Sequence, residues 1–175
     1  MQIVLKLYYV LMNEQFDPIR FEKLKQNTKE FYQNLKPIKS PALGEDVNFT
    51  ADGFHHLMFD NNRSERSKKE QKNKFRCLKE AVNIISKSTT IQEYRLGLQA
   101  IGKVGLDGFK KTAKVEYYGF TSVLSLNGNL KRITVVVRRV GNGQLHFWSV
   151  MPKWINVKIG GELHHKIFTD KNILD

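Results

Sequence analysis

A histidine and two arginines lie close together in the segment VVVRRVGNGQLHFWSVM, residues 135–151. Arg138 and Arg139 precede a Gly-Asn-Gly turn, and His146 follows that turn. An imidazole has an ordinary pKa of about 6.5 and can therefore exchange protons near neutral pH. Guanidinium groups bind phosphate oxygens through paired N–H donors. This combination of residues is suited to proton transfer beside a phosphate group.

Three β-strands are predicted to position these residues. The segments 115–126, 130–140 and 144–151 are rich in Val, Ile, Thr, Tyr, Phe and Trp. They are separated by Asn127-Gly128 and by the Gly-Asn-Gly turn, and Asn-Gly turns between such runs are a strong signal for β-hairpins. We therefore predict a three-stranded antiparallel meander.

The lengths of the turns set the register of these strands. A two-residue first turn and a three-residue second turn place Arg138 opposite His146. A two-residue second turn would instead place Arg139 opposite His146. The expected pairs are Leu126–Asn129, Phe120–Val135, Tyr118–Val137, Tyr117–Arg138, Val140–Gln144, Arg138–His146 and Val136–Trp148.

Side chains alternate between the two faces of a sheet, so this register predicts one apolar and one polar face. The apolar face should pack against helices, and the polar face has the composition of a functional surface. The predicted apolar face consists of Tyr118, Phe120, Leu124, Ile133, Val135, Val137, Leu145, Phe147 and Met151. The predicted functional face consists of Tyr117, Thr121, Thr134, Arg138, His146 and Trp148.

The composition is that of a basic globular protein. The chain has 175 residues, 41% of them hydrophobic, which is enough for one domain with a core. Its net charge of +12 indicates a polyanionic partner, such as nucleic acid. The alternative is a generally basic protein without a specific polyanionic ligand. The basic residues are concentrated in residues 47–114 and in the predicted sheet.

The sequence gives weaker indications of where the protein resides. Cys77 is the only cysteine, so an internal disulfide is excluded and a reducing compartment is favoured. There is no apolar run of the length that spans a membrane. Residues 1–13 are apolar but make a poor signal peptide, and whether residues 1–11 belong to the native protein stays open because Met12 could be the start. We expect a cytoplasmic protein.

Helices are predicted to precede the sheet, which indicates an α+β fold. Asp17-Pro18 should cap a helix that ends near Lys36, followed by a proline-rich linker. This divides the chain into an N-terminal segment, 1–46, and a core, 47–175, within a single compact domain. Ser64 should cap a second helix over 65–87.

The segments between these elements are harder to interpret. Residues 47–50 should be extended, residues 51–53 should form a turn, and residues 54–59 fit helix or strand equally. Residues 96–114 are rich in glycine and lysine, which favours a long loop or lid. We expect Pro152 to end the third strand, and 154–159 to add another.

Two stretches carry a resemblance to a known family. They are VNFTADGFHHLMFD, followed by the basic RSERSKKEQKNK, and residues 135–151. Residues 47–154 resemble the barnase/EndoU/colicin/RelE-like nuclease domains found in phages, conjugative elements and toxin systems. The resemblance implies an α+β fold with N-terminal helices packed on one face of a four-stranded antiparallel sheet. It also implies that the chemistry takes place on the open face of that sheet.

The resemblance implies metal-independent cleavage of RNA by attack of the 2′-hydroxyl, without a cofactor. Such a reaction needs an acid and a base, and cations that stabilise the charged phosphate. The implied catalytic residues are His146, Arg138, Arg139, Tyr117 and His56, the last from the pattern Gly-x-x-His-Leu. The implied substrate-binding residues are Trp148, Thr134, Ser149, Lys153, Arg63, Arg66, Lys68 and Lys69.

Several of these residues have alternative interpretations. The basic helix face also includes Lys72 and Lys74, but Glu65 and Glu70 interrupt it, so it fits a solvated helix equally well. Zinc binding by His55, His56, His164 and His165 is disfavoured, because adjacent histidines chelate poorly. Ser149 is disfavoured as a nucleophile because it should face away from His146.

Three functions therefore remain open. The first is an endoribonuclease acting on single-stranded RNA, tRNA or mRNA, and such an enzyme could have an antitoxin or immunity protein as partner. The second is an RNA-binding module that has lost catalysis. The third is a basic domain that binds a protein partner. Replacing His146 with alanine discriminates between the first two, because only a nuclease depends on it.

Overall fold

A computed structural model describes residues 16–61, 63–126 and 129–154. The elements in this part of the chain confirm the α+β class. The helices are α1 (Pro18–Gln33), α2 (Ala51–Met58), α3 (Lys68–Arg76) and α4 (Leu78–Lys87). The strands are β1 (Ile38–Ser40), β2 (Glu45–Asn48), β3 (Glu93–Val104), β4 (Lys110–Leu126), β5 (Asn129–Val140) and β6 (Leu145–Trp154).

The sheet is larger than predicted and is mixed. It has six strands in the order β1-β2-β6-β5-β4-β3, so the expected four-stranded antiparallel sheet was wrong in this detail. Strand β2 runs parallel to β6 and pairs Val47 with Leu145 and Asn48 with His146. The side chain of Asn48 also donates a hydrogen bond of 3.1 Å to the Leu145 carbonyl. Local sequence patterns do not reveal a parallel pairing between segments this far apart.

Residues 96–114 form most of a long β-hairpin, and the predicted loop or lid was wrong. Strands β3 and β4 pair in register from Glu93–Gly119 to Ile101–Lys111, and the chain reverses between Val104 and Lys110. The glycines in β3 make the alternation of its apolar residues hard to recognise in the sequence. Gly108 lies in the turn and has a φ of +79°, a conformation that glycine adopts readily. The hairpin extends the sheet well beyond the helices.

The helix boundaries follow their capping residues. The Asp17 carboxylate accepts hydrogen bonds from the backbone N–H groups of Ile19 and Arg20, as expected for a cap. Ser67 rather than Ser64 begins the basic helix, because Ser67 and Glu70 form a reciprocal capping box. At Cys77 the chain leaves helical geometry briefly, which divides the predicted single helix into α3 and α4.

Residues 51–53 belong to α2 and not to a turn, and Gly53 allows this helix to approach the sheet. A Cβ atom added at Gly53 would overlap the Phe147 carbonyl oxygen and the Tyr32 hydroxyl. The missing side chain therefore sets the distance between α2 and β6.

We expect Gly53→Ala to lower the free energy of unfolding by about 1–3 kcal/mol, because α2 would have to move away from β6. Urea unfolding followed by circular dichroism measures this change. Gly97→Ala is the matched control, since a Cβ there meets no atom within 4 Å. Equal stability of the two variants would show that the close approach is not a constraint.

A β-bulge changes the register between β5 and β6. The β4–β5 pairs are as predicted, and Arg138 lies opposite His146 as predicted. Beyond that pair, Val137 faces Phe147 and Val136 faces Ser149, so Trp148 is the extra residue. The predicted pair Val136–Trp148 was therefore wrong. Strand β6 also continues past Pro152 instead of ending there.

The bulge exchanges two residues between the faces of β6. Val150 joins the main core, whereas Met151 packs in a second cluster on the opposite face with Val115, Tyr117 and Val136. Phe120, Val135 and Phe147 are fully buried in the main core, as predicted. The aromatic partners of Phe147 come from α1 and the end of β2, not from the helix that carries Leu78.

Candidate functional site

Trp148 lies at the centre of the candidate site, and the bulge determines its position. The Arg138 guanidinium carbon lies 4.3 Å from the centre of the Trp148 ring. The imidazole of His146 lies 6.1 Å from the same ring, and the Tyr117 ring lies 6.4 Å from it. We call Trp148, Arg138, His146, Tyr117 and His56 the Trp148 cluster. These five residues come from three neighbouring strands and from α2.

His56 reaches this cluster from the last turn of α2. Its imidazole stacks on Trp148 with the ring centres 4.4 Å apart, and the residue is only 4% exposed. Arg66 approaches the same turn, and its Nε donates a hydrogen bond of 3.3 Å to the His56 carbonyl. The structure thus places the Gly-x-x-His-Leu segment beside the Arg138–His146 pair.

Both histidines of the cluster are neutral at neutral pH. Burial is the main cause, and the nearby cations Arg66, Lys74 and Arg138 add to it; together they lower the pKa of His56 from 6.5 to about 3. Burial also lowers the pKa of His146, and Arg138 acts in the same direction. A hydrogen bond with the Gln144 backbone and the Asp52 carboxylate partly oppose this shift. A neutral imidazole has a free nitrogen lone pair, but a pKa of about 3 makes His56 a much weaker base than His146.

Tyr117 is the buried member of the cluster on β4. Its ring is 5% exposed, and its hydroxyl donates a hydrogen bond of 3.1 Å to Gln99 Oε1. The Arg138 guanidinium carbon lies 5.7 Å from the centre of this ring. Burial leaves Tyr117 without a surface for stacking a base, and the Trp148 ring already contacts His56 and Arg138. The geometry therefore assigns both aromatic residues a supporting role.

Lys74 was predicted to lie on a basic surface but is buried. Its Nζ donates hydrogen bonds to Ser149 Oγ at 3.0 Å and to the Val150 carbonyl at 2.8 Å. These bonds bind α3 to the bulge that positions Trp148. Ser149 is 1% exposed, so it does not contact substrate. Helical spacing could have revealed the position of Lys74, since it lies four residues before Leu78 on the buried face of the helices.

The structure separates Arg138 and Arg139, which the resemblance implied to be catalytic together. Arg138 lies in the Trp148 cluster, whereas Arg139 lies on the opposite face and forms an ion pair of 2.6 Å with Glu45. Neighbouring residues of a strand point to opposite faces, so the two side chains cannot bind one phosphate together. Of the two arginines, only Arg138 lies in the Trp148 cluster.

The other predicted substrate-binding residues lie outside the Trp148 cluster, although Arg66 contacts it through the His56 carbonyl. Thr134 is buried and shares a hydrogen bond of 3.0 Å with Thr121. Lys153 faces Arg132 across the β5–β6 pair, far along the strands from His146. Lys68 forms an ion pair with Glu65, and Arg63 and Lys69 are exposed beside α3.

Several nitrogen atoms of the Trp148 cluster and of the neighbouring Arg66 have no hydrogen-bond partner among the described residues. They are His56 Nε2, Arg66 Nη2, Arg138 Nε and Trp148 Nε1, each shielded from solvent. Buried donors that lack a protein acceptor are uncommon and indicate a ligand or ordered water. Three of the four atoms are N–H donors, and two of these belong to arginine side chains.

Neither a metal cluster nor a membrane-spanning helix occurs in the described part of the chain. Residues 16–61, 63–126 and 129–154 contain no group of three His, Cys, Asp or Glu side chains placed to hold a metal ion. His55 is exposed and stacks on Phe59, whereas His56 is buried against Trp148. His164 and His165 lie outside the described residues. None of the described helices has the length and apolar character needed to cross a bilayer.

The fold and site define an α+β protein whose mixed sheet carries a histidine–arginine–tryptophan cluster on one face. Residues 20–147 match the family described as large polyvalent protein-associated domain 3, and the chain belongs to that family. The expected association with phages and mobile elements is confirmed at this level, whereas the family description names no nuclease activity. No curated protein and no solved structure shows significant similarity to the chain.

Proposed function

We propose that this domain is an endoribonuclease that cleaves RNA by attack of the 2′-hydroxyl, without a metal ion. The observation that carries the proposal is the pairing of Arg138 with His146 across β5 and β6 beside Trp148. This arrangement holds a cation for the phosphate and a neutral imidazole for the proton on the same face. Both are half-buried, so they remain accessible to a substrate.

The first chemical step uses His146 as the base. Its neutral ring takes the proton of the 2′-hydroxyl, and the 2′-oxygen forms a bond to phosphorus. The bond between phosphorus and the 5′-oxygen breaks, and the departing 5′-oxygen takes a proton from water. His146 then gives its proton to the hydroxide that remains, which restores the neutral ring. Arg138 donates hydrogen bonds to the non-bridging oxygens, where charge develops in the transition state. The products are a 2′,3′-cyclic phosphate and a 5′-hydroxyl end.

Trp148 and His56 hold Arg138 and His146 in place. Stacking of a guanidinium on an indole restricts its orientation, so less conformational freedom is lost when phosphate binds. His56 is buried and has a pKa of about 3, so it does not act as an acid in the free protein. We assign it to support of Trp148, in contrast to the second acid–base role that the resemblance implied.

Incubation of the purified chain with total RNA in EDTA tests the proposal. We expect cleavage, with 2′,3′-cyclic phosphate at the upstream ends, because 2′-hydroxyl attack leaves that product. An oligonucleotide with a single 2′-deoxy sugar at the cleavage site is the matched control and should remain intact at that position. Cleavage of the deoxy position, or strict dependence on a metal ion, would contradict the mechanism.

The lowered pKa of His146 predicts the pH dependence of cleavage. A base must be unprotonated, so the rate should fall only when the pH drops below the ordinary histidine value of 6.5. Arg138 lowers this pKa, so Arg138→Gln should shift the acidic limb of the pH–rate profile to higher pH. Single-turnover rates measured from acid to neutral pH give the acidic limb for both the parent and the variant. An unchanged limb in a variant with measurable activity would show that another group titrates.

Binding of RNA without cleavage is the alternative function. It is favoured by the low pKa of His56, because no second histidine of the cluster is ready to protonate the leaving oxygen. In that case Arg138 would still bind phosphate and His146 would serve only as a neutral neighbour. An intact RNA substrate that is nevertheless bound, with affinity lost in Arg138→Ala, would establish this alternative.

A further inference from the structure

Strand β3 forms one edge of the sheet, and no other described strand pairs with its outer side. It runs from Glu93 to Val104, whereas β1 at the opposite edge spans only Ile38–Ser40. An edge strand of this length presents a row of unpaired backbone N–H and C=O groups. Such an edge is a template for pairing with another chain.

The edge is also apolar on one side. Tyr94, Leu96 and Leu98 alternate along β3 and are 53%, 54% and 77% exposed. They share the helix-bearing face of the sheet with Tyr118, but the helices do not cover them. Proteins commonly protect an edge with proline, bulges or inward-pointing lysines. From Glu93 to Ile101 β3 has none of these, and its ladder with β4 is regular.

The charges on this edge favour pairing with itself. Residues 93–101 contain one acidic residue, Glu93, and one basic residue, Arg95, so two copies meet without net repulsion. On β4, Lys114 lies opposite Leu98 but forms an ion pair of 3.3 Å with Glu116. The other lysines of the hairpin, Lys103, Lys110 and Lys111, lie farther out. In an antiparallel pair the two tips point in opposite directions, which keeps these lysines apart.

We propose that two copies of this chain pair antiparallel through β3, about a two-fold axis at Gly97. This register places Leu96 of one copy opposite Leu98 of the other, and Tyr94 opposite Ala100. Four leucines then form a continuous apolar cluster, flanked by two tyrosines, and the sheets join into one. A two-fold interface uses the same patch on both subunits, and a neutral, apolar edge meets that condition.

Light scattering coupled to gel filtration, over a range of protein concentrations, tests the proposal by molar mass. We expect a dimer for the unaltered chain and a monomer for Leu96→Lys and Leu98→Lys, because each places two lysines at the shared edge. Leu106→Lys is the matched control at the exposed hairpin tip and should remain dimeric. Circular dichroism verifies that each variant is folded. A monomeric parent, or a monomeric Leu106→Lys, would overturn the proposal.

Disulfide cross-linking tests the register. Residues facing each other in antiparallel strands have Cα atoms about 4.5–5.5 Å apart, within the range of a disulfide. A Cβ at Gly97 meets nothing within 4 Å, and the native Cys77 is fully buried, so background is low. Gly97→Cys should form a covalent dimer on mild oxidation, and Asp107→Cys should not. Equal cross-linking of both, or of neither, would exclude pairing through β3.

Discussion

Replacing His146 with alanine is expected to lower the rate of RNA cleavage by about 100- to 10,000-fold, the usual contribution of a positioned general base. The imidazole is neutral because burial lowers its pKa, so it is ready to accept the 2′-hydroxyl proton. Alanine has no group that could replace it. Fragment formation under single-turnover conditions measures this loss.

The affinity for RNA should change little in the same variant. The guanidinium of Arg138, which supplies the positive charge at this site, remains in place. Arg138→Ala should instead weaken both binding and cleavage, and its effect on binding should diminish as salt concentration rises. Fluorescence anisotropy with a labelled oligoribonucleotide at several salt concentrations separates the two effects.

His55→Ala provides the matched control for the histidine substitution. His55 is exposed and stacks on Phe59, outside the Trp148 cluster. Its loss should leave both cleavage and binding close to those of the parent. Full activity in His146→Ala would remove the proposed base, and RNA that remains bound but uncleaved by the parent would favour the binding module.

The central strands and their first register could be predicted because local rules determine them. Turn length sets the pairing of adjacent strands, so Asn127-Gly128 was sufficient to place Tyr117 opposite Arg138. The same rule placed Arg138 opposite His146 across the Gly-Asn-Gly turn. The α+β class followed from the order of helices and strands. These features are determined by residues that are close together in the sequence, so they can be predicted from the sequence alone.

Features that depend on distant contacts could not be predicted. The bulge at Trp148 shifts Met151 to the other face, and it is held by Lys74 of α3 through Ser149 and Val150. A strict alternation of side chains cannot anticipate one extra residue that a separate helix stabilises. The parallel pairing of β2 with β6 likewise joins segments that are far apart in the sequence.

The candidate site could be predicted only in part, because some of its contacts are local in the sequence and others join distant segments. The turn rule placed Arg138 beside His146, and Gly-x-x-His-Leu indicated His56. Alternation along β5 places Arg139 and Arg138 on opposite faces, so Arg139 could have been excluded from the site on the sequence alone. The buried state of His56 was not visible in the sequence, because it arises where α2 packs against Trp148.

Phe147 and Trp148 are adjacent in β6, but their replacement with alanine should affect different properties. Phe147→Ala should mainly lower stability, and Trp148→Ala should mainly lower the cleavage rate. Phe147 is fully buried, with its ring centre 5.5 Å from that of Phe49 and 6.0 Å from that of Tyr32. Phe147→Ala removes a large ring from this packed core and leaves a cavity. We therefore expect it to lower the free energy of unfolding by about 3–5 kcal/mol, measured by urea denaturation.

Trp148→Ala should affect stability less and cleavage more, because Trp148 is half-buried and supports Arg138 and His56. Phe109→Ala is the control for ring removal, since Phe109 is 74% exposed and should change stability by less than about 0.5 kcal/mol. A loss below about 1 kcal/mol for Phe147→Ala would mean that the faces of β6 are reversed, because a buried phenylalanine cannot be removed at so small a cost. The bulge would then have to lie elsewhere in the strand, and Trp148 rather than Phe147 would pack in the core.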